Sequence, residues 1–168
     1  RIEDRRLRLI LREPEAISKT IDVFFTSLAS EYDGETIGVL LSGTGSDGTR
    51  GLGIIKDGGG VTFVQEPESA KFSAMPANAI HAGVADFVLP PGQIAEEINR
   101  MAMVPESSSA EPAPRVDKHL EQIFKLLKAH MNVDFSGYKF ATIDRRIRRR
   151  LMVLKVNSMA QYLSYLDE

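Results

Sequence analysis

Over the first hundred positions, apolar residues fall into short unbroken runs that alternate with helical stripes. Ile37-Gly38-Val39-Leu40-Leu41, Val61-Thr62-Phe63-Val64 and Phe87-Val88-Leu89 lack polar alternation, as strands covered on both faces require. Ahead of the first run, Ile17, Ile21, Phe24, Phe25 and Leu28 lie close to one helical face, which predicts an amphipathic helix over residues 16–30, broken at Asp33-Gly34. A helix over 49–56 follows the first run and ends at Gly58-Gly59-Gly60, because three glycines cannot sustain it. Pro76 suits the first turn of a short helix reaching His81, and a last helix over 93–101 comes after Pro90-Pro91. Strand, helix and strand at this spacing predict a right-handed crossover between neighbouring parallel strands. At the start, residues 6–11 alternate basic and apolar side chains and read as a strand near a sheet edge.

The pattern then changes. Residues 104–115, with Pro105, Ser107-Ser108-Ser109, Pro112 and Pro114, offer nothing large to bury and read as a flexible linker. Beyond it only helical stripes occur. Leu120, Ile123, Phe124, Leu127 and Met131 mark one helix, and Ser136-Gly137 interrupts it. Ile143, Ile147, Leu151 and Leu154 mark a second, and Met159, Tyr162, Leu163 and Leu166 a third. The expected fold is α/β, a partial parallel-sheet, Rossmann-like domain at 1–103, followed by a small all-α subdomain at 116–168. Charge divides at the same place: residues 1–115 carry 11 basic and 17 acidic side chains, residues 116–168 carry 10 and 6. Two units with different partners are implied.

Composition narrows the classes. No apolar run reaches the roughly 18 residues of a membrane span, no secretory signal opens the chain, and the absence of cysteine excludes disulfide and thiolate chemistry. No membrane insertion, a cytoplasmic location and no metal site are the expectations. Arg1, in place of an initiator methionine, suggests a piece of a longer polypeptide.

The chemistry concentrates in Leu41-Ser42-Gly43-Thr44-Gly45-Ser46-Asp47-Gly48, a glycine-rich turn from strand to helix at the carboxyl end of a parallel strand, where ligands and catalytic groups gather. Gly43 to Gly48 matches G-x-G-x-x-G, and Glu66 and Glu68 stand about twenty residues on, so a dinucleotide site is one reading. Asp47 opposes it by placing negative charge where a pyrophosphate needs bare N–H donors. A second reading makes Asp47 a cap for the helix that follows.

The turn, together with Gly58-Gly59, Val64-Gln65-Glu66-Pro67-Glu68-Ser69-Ala70-Lys71, Met75-Pro76-Ala77-Asn78-Ala79-Ile80 and Gly83-Val84-Ala85-Asp86, resembles the C-terminal part of the catalytic domain of the chemotaxis receptor methylesterase, CheB. The resemblance implies hydrolysis of glutamyl methyl esters by a Ser-His-Asp triad. Asp47 stands at the triad's carboxylate, with Gly43, Thr44 and Gly45 as the loop near the active site; members of that family often carry Met at the position of Thr44. The serine and histidine of the family precede the matched blocks. Of the histidines here, His81 has no counterpart in the pattern and His119 and His130 lie in the second unit, so this stretch alone is expected to be inactive as an esterase.

Phe135-Ser136-Gly137-Tyr138-Lys139, Thr142, the run Arg145-Arg146-Ile147-Arg148-Arg149-Arg150 and Tyr162-Leu163 resemble the N-terminal helical subdomain of the receptor methyltransferase, CheR. Helical geometry turns Arg145, Arg148 and Arg149 away from the apolar stripe and sets Arg150 beside it, its stem running along the apolar surface. Five arginines on one helix also fit a phosphate-binding face or a merely solvated one. The resemblance implies instead that Arg145, Arg148 and Arg149 dock an acidic methyl-accepting chemoreceptor, with no nucleic-acid partner. It implies S-adenosylmethionine only for a methyltransferase domain beyond these residues, and no cofactor within them. A non-catalytic signalling module of the same folds is the alternative from another class.

Overall fold

The computed structural model describes residues 1–11, 19–32, 34, 36–103, 118–131, 140–156 and 158–166. It divides into two units, Arg1–Arg100 and Met101–Glu168, each with its own core. The linker expected at 104–115, Ile17, Asp33 and Ser136-Gly137 all lie outside the described residues.

The alternating N-terminal segment is not a strand of the main sheet. Strands β1 (Ile2–Glu3) and β2 (Arg6–Leu7) pair antiparallel with each other in a separate ribbon. Asp4 and Arg5, at φ 53° and 57°, form a two-residue turn of the left-handed kind that tight hairpins use. Arg8 and Arg1 extend the ribbon by one more pair, Arg8 N–H donating to Arg1 O at 2.8 Å and Arg1 N to Arg8 O at 3.1 Å, and beyond it Leu9 and Leu11 are fully exposed. Ser27 Oγ accepts the Ile2 N–H at 2.8 Å and Glu31 Oε1 the Arg5 N–H at 2.8 Å, which ties the ribbon to helix α1 (Thr20–Tyr32).

After α1 come β3 (Ile37–Leu40), α2 (Thr49–Asp57), β4 (Val61–Gln65), a 3₁₀ turn (Pro67–Ser69), α3 (Ala74–His81), β5 (Phe87–Leu89) and α4 (Pro91–Met103). The sheet order is β3-β4-β5, parallel throughout, with Leu40 opposite Val64 and Val39, Phe63 and Phe87 in one row. Since successive side chains face opposite ways, Leu40 and Val64 meet one layer and Phe63 and Phe87 the other. The first layer is the core: Phe25 of α1, Leu52 and Ile55 of α2 and Ala79 of α3 close over Leu40 and Val64. On the opposite face Phe63 stacks on Phe87 with ring centroids 4.9 Å apart. All five residues of β4, the polar Thr62 and Gln65 included, are buried, as befits a central strand covered on both faces. Helix α4 starts at Pro91, two residues earlier than the pattern suggested, because a proline in the first turn loses no hydrogen bond the helix would have made.

At the amino end of the sheet, Asp86 accepts the Thr62 N–H at 3.0 Å on Oδ2 and pairs with Lys56 Nζ at 3.4 Å through Oδ1. Asp86, one of the residues carrying the methylesterase resemblance, therefore stands at the end of the strands remote from the glycine-rich turn and fastens β5 to β4 and α2.

The second unit has α5 (Lys118–Met131), α6 (Phe140–Leu154) and α7 (Met159–Leu166). Leu120 and Ile123 of α5, Ile143 and Ile147 of α6 and Tyr162 of α7 are buried together, so all three stripes converge. Helix α6 stops without a glycine. Lys155 takes φ 57°, its N–H reaches Met152 O at 3.1 Å, and Val156 N–H reaches Leu151 O at 2.9 Å, which is a Schellman motif with lysine in the glycine position. Left-handed backbone costs a side-chain-bearing residue on the order of 1 kcal/mol. Lys155→Gly is accordingly expected to stabilise this unit by up to about 1 kcal/mol, read as a higher urea midpoint with an unchanged slope.

Candidate active site

The turn after β3 is held by the segment after β4, which explains why separate blocks of sequence belong together. Gln65, the last residue of β4 and buried, accepts the Ser42 N–H on Oε1 at 2.8 Å and donates from Nε2 to Ser69 O at 3.0 Å. Phe72 N–H donates to Ser42 Oγ at 2.9 Å, Gly43 N–H to Phe72 O at 3.0 Å, and Met75 N–H to Gly43 O at 3.0 Å. Asn78 Nδ2 donates to Gly45 O at 2.9 Å. A Cβ at Gly43 would stand 2.8 Å from Met75 Sδ, so the tip of the Met75 side chain packs directly on the bare glycine. Thr44, Gly45 and Ser46 are left exposed at the crest of the braced loop.

Asp47 does not cap the helix it precedes. Gly48 is the N-cap of α2, at φ 92°, with no side-chain cap hydrogen bond. The Asp47 carboxylate instead meets the start of α1: Oδ2 accepts Ile21 N–H at 3.0 Å and Oδ1 accepts Asp22 N–H at 2.9 Å. Lys19, whose carbonyl accepts the first hydrogen bond of α1 from Val23 N–H, has no side-chain acceptor to offer those amides. Asp47 supplies what Lys19 lacks, and the positive end of α1 faces its charge.

The exchange is mutual. Asp22, buried in the first turn of α1, accepts Gly51 N–H from the first turn of α2 on Oδ1 at 2.8 Å. Such closeness requires bare glycines. A Cβ at Gly51 would lie 2.5 Å from Phe25 Cβ, and one at Gly48 would lie 2.7 Å from Ile21 Cγ2.

These bonds remove the dinucleotide reading. The N–H groups of Ser42, Gly43 and Gly51 already have protein acceptors, and the first turn of α2 faces the Asp22 carboxylate where a pyrophosphate would sit. Catalytic use of Asp47 stays open chemically. Each carboxylate oxygen offers two lone-pair directions and spends one on an amide. His81, the last residue of α3, is exposed and makes no hydrogen bond to Asp47. Among the described residues no group of three or more His, Asp or Glu is placed to hold a metal ion.

Asp22 and Gln65 escaped the sequence reading. An acid in the first turn of a helix was a usable signal for Asp22. Gln65 gave none, since its partner lies 23 residues away.

On α6, Arg148 is exposed and its Nε donates to Asp144 Oδ2 at 2.7 Å, one turn back. Arg149 is half-buried and engaged, although it stands opposite the stripe. Arg150 is exposed, beside the seam that Ile143, Ile147, Leu151 and Leu154 make within the unit. Arg145 belongs to α6, but its side chain lies outside the described residues.

Comparison with known proteins bears on both units. The CheB methylesterase family matches residues 2–98, and the all-alpha domain of CheR methyltransferase matches residues 118–168. An uncharacterized 104.1 kDa protein from the hypE 3′ region of Rhodobacter capsulatus is 34% identical over 194 residues, taking in 98% of this chain and 20% of that protein. Protein-glutamate methylesterase/protein-glutamine glutaminase 1 of Geobacter sulfurreducens is 43% identical over 82 residues, 49% of this chain and 23% of that protein. The crystal structure of the Thermotoga maritima CheB methylesterase catalytic domain aligns with a TM-score of 0.47 at 35% identity, over 48% of this chain and 42% of that one. The chain thus spans about a fifth of the length of the two curated relatives. No described helix is long and apolar enough to cross a membrane. The family match covers more than half of the residues, and on it the chain belongs to the CheB methylesterase family.

Proposed function

We propose that this chain is the junction of a bifunctional protein-glutamate methylesterase and methyltransferase acting on a chemoreceptor. The observation that carries the reading is the Asp47 carboxylate, fixed by two amides at the carboxyl end of a parallel strand with acceptor capacity to spare. In the esterase half, Asp47 accepts the N–H of a histidine and holds it in the tautomer that takes the proton of a serine. The serine oxygen attacks the ester carbonyl, the methoxy group leaves with that proton as methanol, and water releases the glutamate. Glutamine would follow the same path with ammonia leaving. Serine and histidine come from residues other than those described, and Gly43, Thr44 and Gly45 border the reacting centre.

In the methyltransferase half, Arg145, Arg148 and Arg149 of α6 dock the acidic, glutamate-bearing region of the receptor by charge complementarity, Arg148 being the exposed one whose side chain is described. We assign S-adenosylmethionine to a different domain of the methyltransferase: the described helices offer no glycine-rich strand-to-helix turn for such a ligand, and the turn of the first unit is already filled by its own bonds. Arg148→Ala is expected to weaken receptor binding about twofold to fivefold at low salt, as one exposed charge pair can. The difference fades at 0.5 M salt in a titration by calorimetry.

The function is tested by incubating the parent protein with a receptor carrying isotopically labelled methyl esters. Labelled methanol supports the reading. Tight receptor binding without release supports a signalling module that keeps the folds and lacks the chemistry.

A further inference from the structure

We infer that Asp22 is a positioning residue for Asp47, an inference that rests on the esterase reading above. The Asp47 carboxylate takes its orientation from the Ile21 and Asp22 amides, so its place is the place of the first turn of α1. That turn is itself fastened at one buried point, Asp22 Oδ1 against Gly51 N–H at 2.8 Å. Gly51 lies one helical turn after Asp47, and the circuit closes: Asp47 to the α1 amides, the Asp22 side chain to the Gly51 amide, and α2 back to Asp47. The approach of α1 to α2 is set to within the size of a methyl group, since Cβ atoms at Gly48 and Gly51 would collide with Ile21 and Phe25. Without the Asp22 acceptor, the Gly51 N–H is a buried donor with no partner, and the two helices separate to let water reach it. The carboxylate that must meet a histidine N–H at hydrogen-bond distance then moves with α1. Displacements near 1 Å at such a contact cost up to about 100-fold in rate.

The experiment is steady-state methanol release by the parent protein carrying Asp22→Ala, Asp22→Ser, Asp22→Asn or Asp47→Asn, at a temperature where circular dichroism shows each variant folded. Asp22→Ala is expected to lower kcat about 10- to 100-fold with KM unchanged. Asp22→Asn keeps an acceptor oxygen for Gly51 and is expected to restore kcat to within about threefold. A residue serving stability alone would move the melting temperature and leave kcat of the folded enzyme in place. If Asp22→Ala does not fold, Asp22→Ser, whose oxygen stops one bond short of Gly51, must show the same fall in kcat. Unchanged kcat in a folded Asp22→Ala or Asp22→Ser variant, with Asp47→Asn strongly impaired, overturns the inference and leaves the esterase reading standing. Full turnover in Asp47→Asn overturns the inference together with the catalytic role of Asp47, while the methanol released upholds the esterase reading; no methanol from the unsubstituted protein overturns that reading itself.

Discussion

Replacing Asp47 by asparagine in the parent protein is expected to slow methanol release by about four orders of magnitude, the loss a serine hydrolase suffers when its histidine is offered an amide in place of a carboxylate. The asparagine keeps one acceptor oxygen for the amides of α1, but its NH₂ must then face either the second amide or the histidine. The amide is a donor to Asp47 in the structure, and the histidine of the proposed triad would be one too, so one contact turns from attraction to repulsion or the histidine is favoured in the wrong tautomer. The local cost in stability is about 1–3 kcal/mol, for one amide left without an acceptor. A folded but nearly inactive variant is therefore the expected result, read from labelled methanol and circular dichroism on the same sample. Unchanged turnover would reduce Asp47 to a remote cap for α1, a role that the two amide bonds already document.

The second large effect concerns the sheet. Phe63 is completely buried in the central strand and stacked on Phe87 with the rings 15° from parallel. Phe63→Ala removes that ring and leaves a cavity between β4 and β5, for an expected loss of about 3–5 kcal/mol. For a unit of this size the melting temperature should fall by more than about 10 °C in a calorimetric scan. Val88, in β5 and 40% exposed, serves as the control, and Val88→Ala should change little beyond the lost strand propensity. A fall of only a degree or two for Phe63→Ala would mean that the two strands do not share one core. The same strand ends in Gln65, which holds the Ser42 amide, so loosening β4 also loosens the glycine-rich turn.

The parallel strands and the helices of the second unit could be read from the chain because both are written locally. Val61 to Val64 is apolar apart from Thr62 and carries no charge, and Ile143, Ile147, Leu151 and Leu154 recur at the helical period, so burial of a strand or of a helix face follows within one segment. The site was legible only in part. Asp47 could be singled out as a carboxylate at the end of a parallel strand, but its partners lie 25 and 26 residues earlier, on a helix whose starting residue, Lys19, gives no sign that it needs an outside acceptor. The ribbon misled for a related reason. Residues 6–9 alternate, yet pairing depends on the Asp4-Arg5 turn, which folds them back onto residues 1–3 instead of the main sheet, with the last bonds between Arg8 and Arg1. Side chains that fasten one segment to another, such as Gln65, leave no periodic trace.

The crossed caps of α1 and α2 also bear on the order in which the site is assembled. Neither helix can begin with its amides satisfied until the other is in place, because each draws its acceptor from its neighbour. The amides of Ile21, Asp22 and Gly51 therefore open as one cooperative group and should share one protection factor against deuterium exchange. While α1 is undocked the Asp47 carboxylate lacks both amides that fix it, so the orientation of the candidate site is set only when the two helices dock.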